Sequence, residues 1–191
     1  MAYQRYRRVN LTPLWVLIVV NFIILIATFI NRDLIFLFGL QPISFLKQPW
    51  TIVTSLFVHG GIGHLIANMF TLFFFGRFLI TLLGEKNFLT VYFAGGILGS
   101  IFYLILGSPF SIAVGASGAV FALGGVLAAM RPKIKVFIFP IPAPLPLWTA
   151  VIGGFLILSL FPGIAWQAHF GGLVYGLAAG YFFRRKERRL Y

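Results

Sequence analysis

Four polar residues in otherwise apolar stretches have side chains suited to acyl-transfer chemistry. His64 and Asn68 are four residues apart, which places them one turn apart on one face of a helix. Ser117 lies in a Gly-Ala-Ser-Gly segment at 115–118, and His169 lies in a later apolar stretch. A serine hydroxyl becomes nucleophilic at neutral pH when a neighbouring base removes its proton, and imidazole is such a base. Imidazole, amide and backbone N–H groups can stabilise the oxyanion that then forms.

The composition around these residues is that of a membrane protein. The chain has 191 residues, of which 60% are hydrophobic and only 9% are charged, whereas a soluble domain has about 25% charged residues. Six apolar stretches are candidate transmembrane helices. They cover 13–30, 64–83, 88–106, 117–130, 145–161 and 165–183. The sequence therefore predicts an all-α, polytopic, six-helix membrane bundle that forms a single domain over residues 1–191. There is no cysteine, which excludes disulfides and thiolate metal sites.

The basic residues indicate how such a bundle is oriented. Of the 15 lysines and arginines, 13 fall on the side of the two termini, and only Arg32 and Lys47 fall on the other side. Arg5, Arg7 and Arg8 precede the first stretch. Cytoplasmic loops carry such an excess, so both termini are predicted to be cytoplasmic, with the polar residues toward the outer face. The charge flanks apolar spans and forms no patch with interleaved aromatic residues, so no nucleic-acid partner is expected.

The connection between the first two spans is predicted to lie partly in the membrane. Residues 34–50 are rich in leucine and phenylalanine but are interrupted by Gly39, Pro42 and Pro49. The stretch is too interrupted to cross. It is therefore predicted to lie half-embedded in the outer leaflet as short amphipathic pieces.

The fourth span is too short to cross a bilayer completely. Its 14 residues before Arg131 make a helix of about 21 Å, against a hydrocarbon core of about 30 Å. Ser117 is then about 10 Å below the outer surface. Irregular backbone at that depth is tolerated only against protein or water, so the sequence predicts a hydrated pocket around this serine.

Each polar residue also has an ordinary structural explanation. A serine at a helix start often only caps the helix, and a single histidine or asparagine in a membrane helix often bonds to a neighbouring helix. Their combination at one depth favours a reactive site. The three acidic residues, Asp33, Glu85 and Glu187, fall at span ends. Any hydrolase here is therefore expected to use a Ser-His dyad, without the acidic residue that completes a catalytic triad.

These motifs resemble those of the rhomboid family of intramembrane serine proteases in its six-helix form, over nearly the whole chain. The motifs are His59 followed by HLIAN at 64–68, the GASG segment at 115–118, and Ala168-His169 with Gly172 and Gly176. The resemblance implies that Ser117 is the nucleophile and His169 its general base. It also implies an oxyanion site made of His64, Asn68 and the Ser117 backbone. By the same resemblance, His59 borders the cavity in a supporting role.

Other small and aromatic residues are expected to support this site. Gly115 and Gly118 flank the serine and permit close backbone approach and unusual dihedral angles. Gly172, with Gly176 and Gly180 at four-residue spacing, forms a face on which the sixth helix can approach a neighbour closely.

The chain departs from the family pattern at two positions. Phe121 stands where many family members carry a tyrosine that packs on the catalytic histidine, so ring stacking is kept but the hydroxyl is lost. Trp50 is followed by Thr51, where the family commonly has an arginine. Activity is expected to survive both changes.

The expected function is the cleavage of transmembrane protein substrates within the lipid bilayer, near its outer face, without a metal or other cofactor. One alternative is a catalytically inactive rhomboid relative that binds unstable transmembrane helices. Another is a transporter or metal-binding protein that uses His59, His64 and His169. No carboxylate or cysteine joins these histidines and no HExxH pattern is present. The sequence leaves the oligomeric state open.

Overall fold

The computed structural model describes residues 9–137 and 142–189. The predicted cytoplasmic residues Arg5, Arg7 and Arg8 lie outside the described residues. The described part is mostly helical. Its α-helices are α1 (Thr12–Ile30), α2 (Asp33–Phe38), α3 (Thr51–Thr54), α4 (Ile62–Leu83), α5 (Glu85–Leu106), α6 (Ser117–Met130), α7 (Leu147–Ser159) and α8 (Trp166–Arg188). Short 3-10 turns lie at Pro42–Ser44 and Ser55–Phe57.

Each of the six predicted spans overlaps one helix, and these helices are α1 and α4 to α8. By length and composition, α1, α4 and α5 are long and apolar enough to cross a membrane, whereas α6 and α7 are shorter apolar helices. Helix α4 ends and α5 begins at Gly84, whose φ of +84° suits glycine. The mostly helical fold is confirmed, and the number of membrane crossings stays a prediction.

The outer surface of the bundle carries many large apolar side chains. Trp15, Ile26, Phe70, Phe74 and Phe182 are all exposed on long helices. A soluble protein rarely exposes contiguous apolar surface on this scale. This surface fits contact with lipid.

Helix α6 forms the centre of the bundle, and it is made largely of small residues. Most of its length is buried, against α4, α5 and α8. Its packing with α8 is the closest. A Cβ atom at Gly172 would collide with the carbonyl oxygen of Gly118, and one at Gly176 would collide with that of Ala122. The glycine face predicted on the sixth helix therefore lies against α6, which draws the first turn of α8 toward the start of α6.

The connection between α1 and α4 is irregular, as its glycine and proline residues predict. Neither α2 nor the 3-10 turn after it has a buried residue, and Leu46 is 92% exposed. The connection is tied to the chain before α6, because Leu40 and Ala113 exchange backbone hydrogen bonds of 2.9 and 2.8 Å. The Trp50 indole also donates to the Leu37 carbonyl at 2.9 Å. The depth of this segment in a bilayer stays a prediction.

The all-α prediction omitted one small element on the opposite side of the molecule. Strands β1 (Lys135–Val136) and β2 (Leu145–Pro146) pair antiparallel between α6 and α7. Proline favours extended backbone but has no N–H to donate to a sheet, so Pro146 is consistent with a pairing of only two residues per strand.

An ion pair joins the far ends of α6 and α8. The two terminal nitrogens of the Arg131 guanidinium, Nη1 and Nη2, donate to the Glu187 carboxylate at 2.9 and 2.6 Å. The hydrogen bonds from Arg131 hold the pKa of the Glu187 carboxyl below its usual value. The two helices are therefore fixed together at this end by charge and at the other end by glycine contacts.

Candidate active site

Ser117 and His169 meet where α6 and α8 begin. Ser117 is the first residue of α6, and His169 lies in the first turn of α8. The His169 Nε2 atom is 2.7 Å from the Ser117 hydroxyl oxygen, although the residues are 52 positions apart in the chain. No side-chain hydrogen bond caps α6, whose N-cap residue is Ala116. The serine hydroxyl is thus held by an imidazole, in the geometry that general-base catalysis requires.

The His169 ring is buried and packed on one face. It is 5% exposed, and its centroid is 4.8 Å from the centroid of the Phe121 ring, with the two planes at 33°. Phe121 in turn contacts Phe155 of α7 edge to face at 6.0 Å. The expected packing of Phe121 on the histidine is therefore present, without the hydroxyl of a tyrosine. It restricts the rotation of the imidazole.

No carboxylate lies at the other side of the imidazole. His169 Nδ1 is buried without a hydrogen-bond partner. Of the three acidic residues, all of which lie in the described ranges, Asp33 begins α2, Glu85 accepts from Asn10 and Glu187 pairs with Arg131. The arrangement is therefore a serine–histidine pair that lacks the acidic member of a catalytic triad.

The His64 ring and the Ser117 hydroxyl both lie close to Gly115. The Gly60 N–H donates to His64 Nδ1 at 3.4 Å, so in the neutral ring the proton is on Nε2. A Cβ atom built on Gly115 would lie 2.9 Å from that Nε2 and 3.6 Å from the Ser117 hydroxyl oxygen. Gly115 has a φ of +127°. Only glycine suits this backbone and this space, which brings an N–H donor close to the serine.

Asn68 is buried one turn further along α4. Its Nδ2 atom donates to the His64 carbonyl oxygen at 2.9 Å, within its own helix. An amide nitrogen carries two hydrogens, so one remains for another acceptor. Asn68 therefore lies on the helix face of His64, as their spacing predicts.

A small cavity adjoins Ser117 between α5, α6 and the chain that precedes α6. Hydroxyl-bearing residues Ser55, Ser100 and Tyr103 line it together with Ser117, and Leu40 is among the apolar lining residues. A cavity with several hydroxyl groups is suited to bind water. Its position is that of the pocket predicted around the serine.

His59 touches the segment that carries the nucleophile. The ring is 1% exposed, and its Nε2 atom accepts a hydrogen bond of 3.4 Å from the Ala116 N–H. Its centroid is 5.0 Å from that of His64, in an edge-to-face contact. Burial, and to a smaller extent the neighbouring His64, lowers the pKa of His59 to about 3. The ring is therefore neutral at physiological pH.

Two further residues that hold this region together were missed from the sequence. The Ser55 carbonyl oxygen accepts a hydrogen bond of 2.9 Å from the Gly115 N–H. A Cβ atom at Gly99 of α5 would lie 2.5 Å from the carbonyl oxygen of Ala168, the residue before His169. The spacing of Gly95 and Gly99 was the available signal for close packing of α5, whereas nothing local indicates the Ser55 contact.

The three histidines are not gathered into one cluster in the part of the chain that the structure describes. Within residues 9–137 and 142–189, no group of three or more metal-ligating side chains is placed to hold an ion. His59 and His64 adjoin each other, while His169 contacts the serine.

Comparison with known proteins gives a consistent family match. Residues 46–186 match the family model of the Rhomboid domain. The chain is 31% identical over 162 residues to the mitochondrial Rhomboid protein 1 of Saccharomyces cerevisiae, a match that covers 77% of this chain and 47% of the yeast protein. It is 32% identical over 152 residues to the Rhomboid protease GluP of Bacillus subtilis, covering 78% of this chain and 29% of that protein. The chain thus spans less than half the length of these curated relatives.

Proposed function

The chain belongs to the rhomboid family, and from this premise we propose that it is an active intramembrane serine endopeptidase. Its substrates are transmembrane helices, which it cleaves near the outer face of the membrane. The observation that supports this most strongly is the 2.7 Å separation of His169 Nε2 and the Ser117 hydroxyl oxygen. A half-buried serine hydroxyl that bonds to an imidazole, and not to its own helix, is poised to lose its proton.

In the first half of the proposed reaction, the Ser117 oxygen attacks the substrate carbonyl carbon while His169 Nε2 takes the hydroxyl proton. The carbonyl becomes an oxyanion, which the Ser117 N–H, the His64 Nε2–H and the free Asn68 hydrogen stabilise. Ser117 begins α6, so the positive end of the helix dipole also favours this negative charge. His169 then gives its proton to the leaving amine as the peptide C–N bond breaks, which leaves an acyl ester on Ser117.

In the second half, water hydrolyses the ester. His169 accepts a proton from the attacking water, and the resulting hydroxide equivalent adds to the acyl carbon. The proton returns to the Ser117 oxygen as the new carboxyl product leaves. The adjacent cavity is lined by the hydroxyl-bearing residues Ser55, Ser100 and Tyr103, which supports water entry in this otherwise apolar bundle.

The substrate must unwind before it reacts. In a helix, each peptide carbonyl accepts a hydrogen bond from the same segment and is shielded from attack. Substrates with glycine or proline near the cleaved bond are expected to react best, because these residues weaken the helix. With both termini cytoplasmic, as the distribution of basic residues indicates, the cut lies toward the outer face.

The proposal is tested with purified protein in liposomes and a model transmembrane substrate. Wild-type protein is expected to cleave the substrate and to be labelled covalently by a fluorophosphonate, and Ser117→Ala to do neither. Ser44→Ala is the matched control, because Ser44 lies in a 3-10 turn without buried residues and its hydroxyl donates to Gln41, not to a residue of the candidate site. Cleavage that persists in Ser117→Ala would contradict the proposed nucleophile.

The same experiment separates protease from binder. A wild-type protein that retains a transmembrane helix, yet neither cleaves it nor reacts with the fluorophosphonate, is a non-catalytic member of the family. The short Ser117–His169 distance favours the active enzyme.

A further inference from the structure

The chain just before the nucleophile is held at two consecutive amides by one short segment. The Gly115 N–H donates to the Ser55 carbonyl oxygen at 2.9 Å, and the Ala116 N–H donates to His59 Nε2 at 3.4 Å. The first contact is between backbone groups and is available to many sequences. The second depends on the side chain of His59.

The peptide between Gly115 and Ala116 needs such a contact. Gly115 has a φ of +127°, and glycine lacks the steric restriction that fixes the backbone of other residues there. The N–H and C=O of a trans peptide point in opposite directions. If this peptide rotated, the Gly115 carbonyl would take the direction that the Ala116 N–H has now, and the start of α6 would shift with it.

We propose that His59 is a positioning residue for the reaction: by accepting the Ala116 N–H, it fixes the peptide that precedes Ser117 and thereby the direction of the Ser117 N–H and hydroxyl. This inference rests on the proposed protease function. His59 does not touch the reacting atoms, because its Nε2 is occupied by the Ala116 amide. It acts through the backbone of the neighbouring residue.

The surroundings of His59 suit this role. The ring is almost completely buried, so water does not compete for Nε2. Its edge-to-face contact with His64, with centroids 5.0 Å apart, places the two imidazoles against each other. One buried ring therefore contacts both the segment that carries the nucleophile and the histidine proposed to stabilise the oxyanion.

Two substitutions separate hydrogen bonding from packing. His59→Leu fills much of the ring volume but accepts no hydrogen bond. His59→Gln places an amide oxygen near the position of Nε2 and keeps an acceptor. Misplacement of reacting groups by about 1 Å lowers rates about a hundredfold, so His59→Leu is expected to lower kcat by about tenfold or more. KM is expected to be nearly unchanged, because no substrate contact is lost, and His59→Gln is expected to recover most of the lost kcat.

The experiment measures kcat, KM and the rate of fluorophosphonate labelling in liposomes, for protein that elutes as a single species and has a measured unfolding temperature. Recovery in His59→Gln together with a loss of kcat in His59→Leu supports the inference. Equal activity in wild type and His59→Leu overturns it, as does equal inactivity of both variants. Inactivity of the wild type itself overturns the proposed function, and this inference with it.

Discussion

The contact between α6 and α8 can be tested by adding one methyl group at Gly172. A Cβ atom there would overlap the Gly118 carbonyl oxygen, and restoring ordinary contact requires the helices to separate by about 1 Å or more. His169 lies three residues before Gly172, on the same face of α8. It moves with the helix, while Ser117 stays on α6.

The expected effect follows from the hydrogen bond between the two side chains. A separation of 2.7 Å between His169 Nε2 and the Ser117 oxygen that grows by about 1 Å exceeds hydrogen-bond reach. Displacements of this size lower rates about a hundredfold, which corresponds to about 2.7 kcal/mol in the activation barrier. Gly172→Ala is therefore expected to lose most of its kcat and most of its fluorophosphonate labelling.

Gly180→Ala is the matched control on the same helix face. Its Cβ atom would lie 2.7 Å from the Val126 carbonyl oxygen, so it also disturbs the α6 and α8 contact. It lies about 12 Å further along α8 from Gly172, away from the serine. Both variants are expected to unfold at lower temperature, but only Gly172→Ala is expected to lose most of its kcat. Wild-type kcat in Gly172→Ala, or an equal loss in both variants, would show that the contact at Gly172 does not position His169 against Ser117.

Three further predictions concern single side chains. Phe121→Leu removes the ring that packs on His169 and is expected to lower kcat by about two- to tenfold, whereas Phe121→Tyr keeps the ring and is expected to stay near wild type; equal kcat values for the two variants would contradict this. Asn68→Ala removes a proposed oxyanion donor and is expected to lower kcat about a hundredfold with little change in KM; an effect on KM alone would contradict it. The Arg131 hydrogen bonds lower the pKa of Glu187, so the stabilisation they provide is present above the carboxyl's unfolded pKa and is lost as pH falls through its folded value. This loss of stability in acid amounts to less than about 1 kcal/mol for such a partly exposed pair. It is expected to be missing from Glu187→Gln when thermal unfolding is measured against pH, and a loss equal to that of wild type would contradict the assignment.

Much of the helical framework was predictable from local sequence. Apolar stretches favour helices in a bilayer, because every backbone N–H and C=O must be satisfied within the membrane. The predicted span at 117–130 coincides with α6, since Ser117 follows an irregular stretch and Arg131-Pro132 ends the apolar run. The faces of α4 and α8 that carry His64, Asn68 and Gly172 also followed from helical spacing.

The candidate site was predictable in its residues but not in its contacts. The motifs nominated Ser117, His169, His64 and Asn68, and α6 and α8 bring the first two to 2.7 Å. The hydrogen bonds from Ala116 to His59 and from Gly115 to Ser55 join residues about sixty positions apart. Neither residue of such a pair carries a local signal of its partner.

Composition and spacings within one helix turn were enough to predict where the long helices form, which of their faces are small or polar, and which side chains are capable of acyl transfer. Three contacts became visible in the folded chain alone: the first turn of α8 lies against the start of α6, His59 accepts a hydrogen bond from the amide before the nucleophile, and Arg131 pairs with Glu187. These contacts depend on how closely separate helices approach one another. That approach is set by the whole packing of the bundle and not by any one segment.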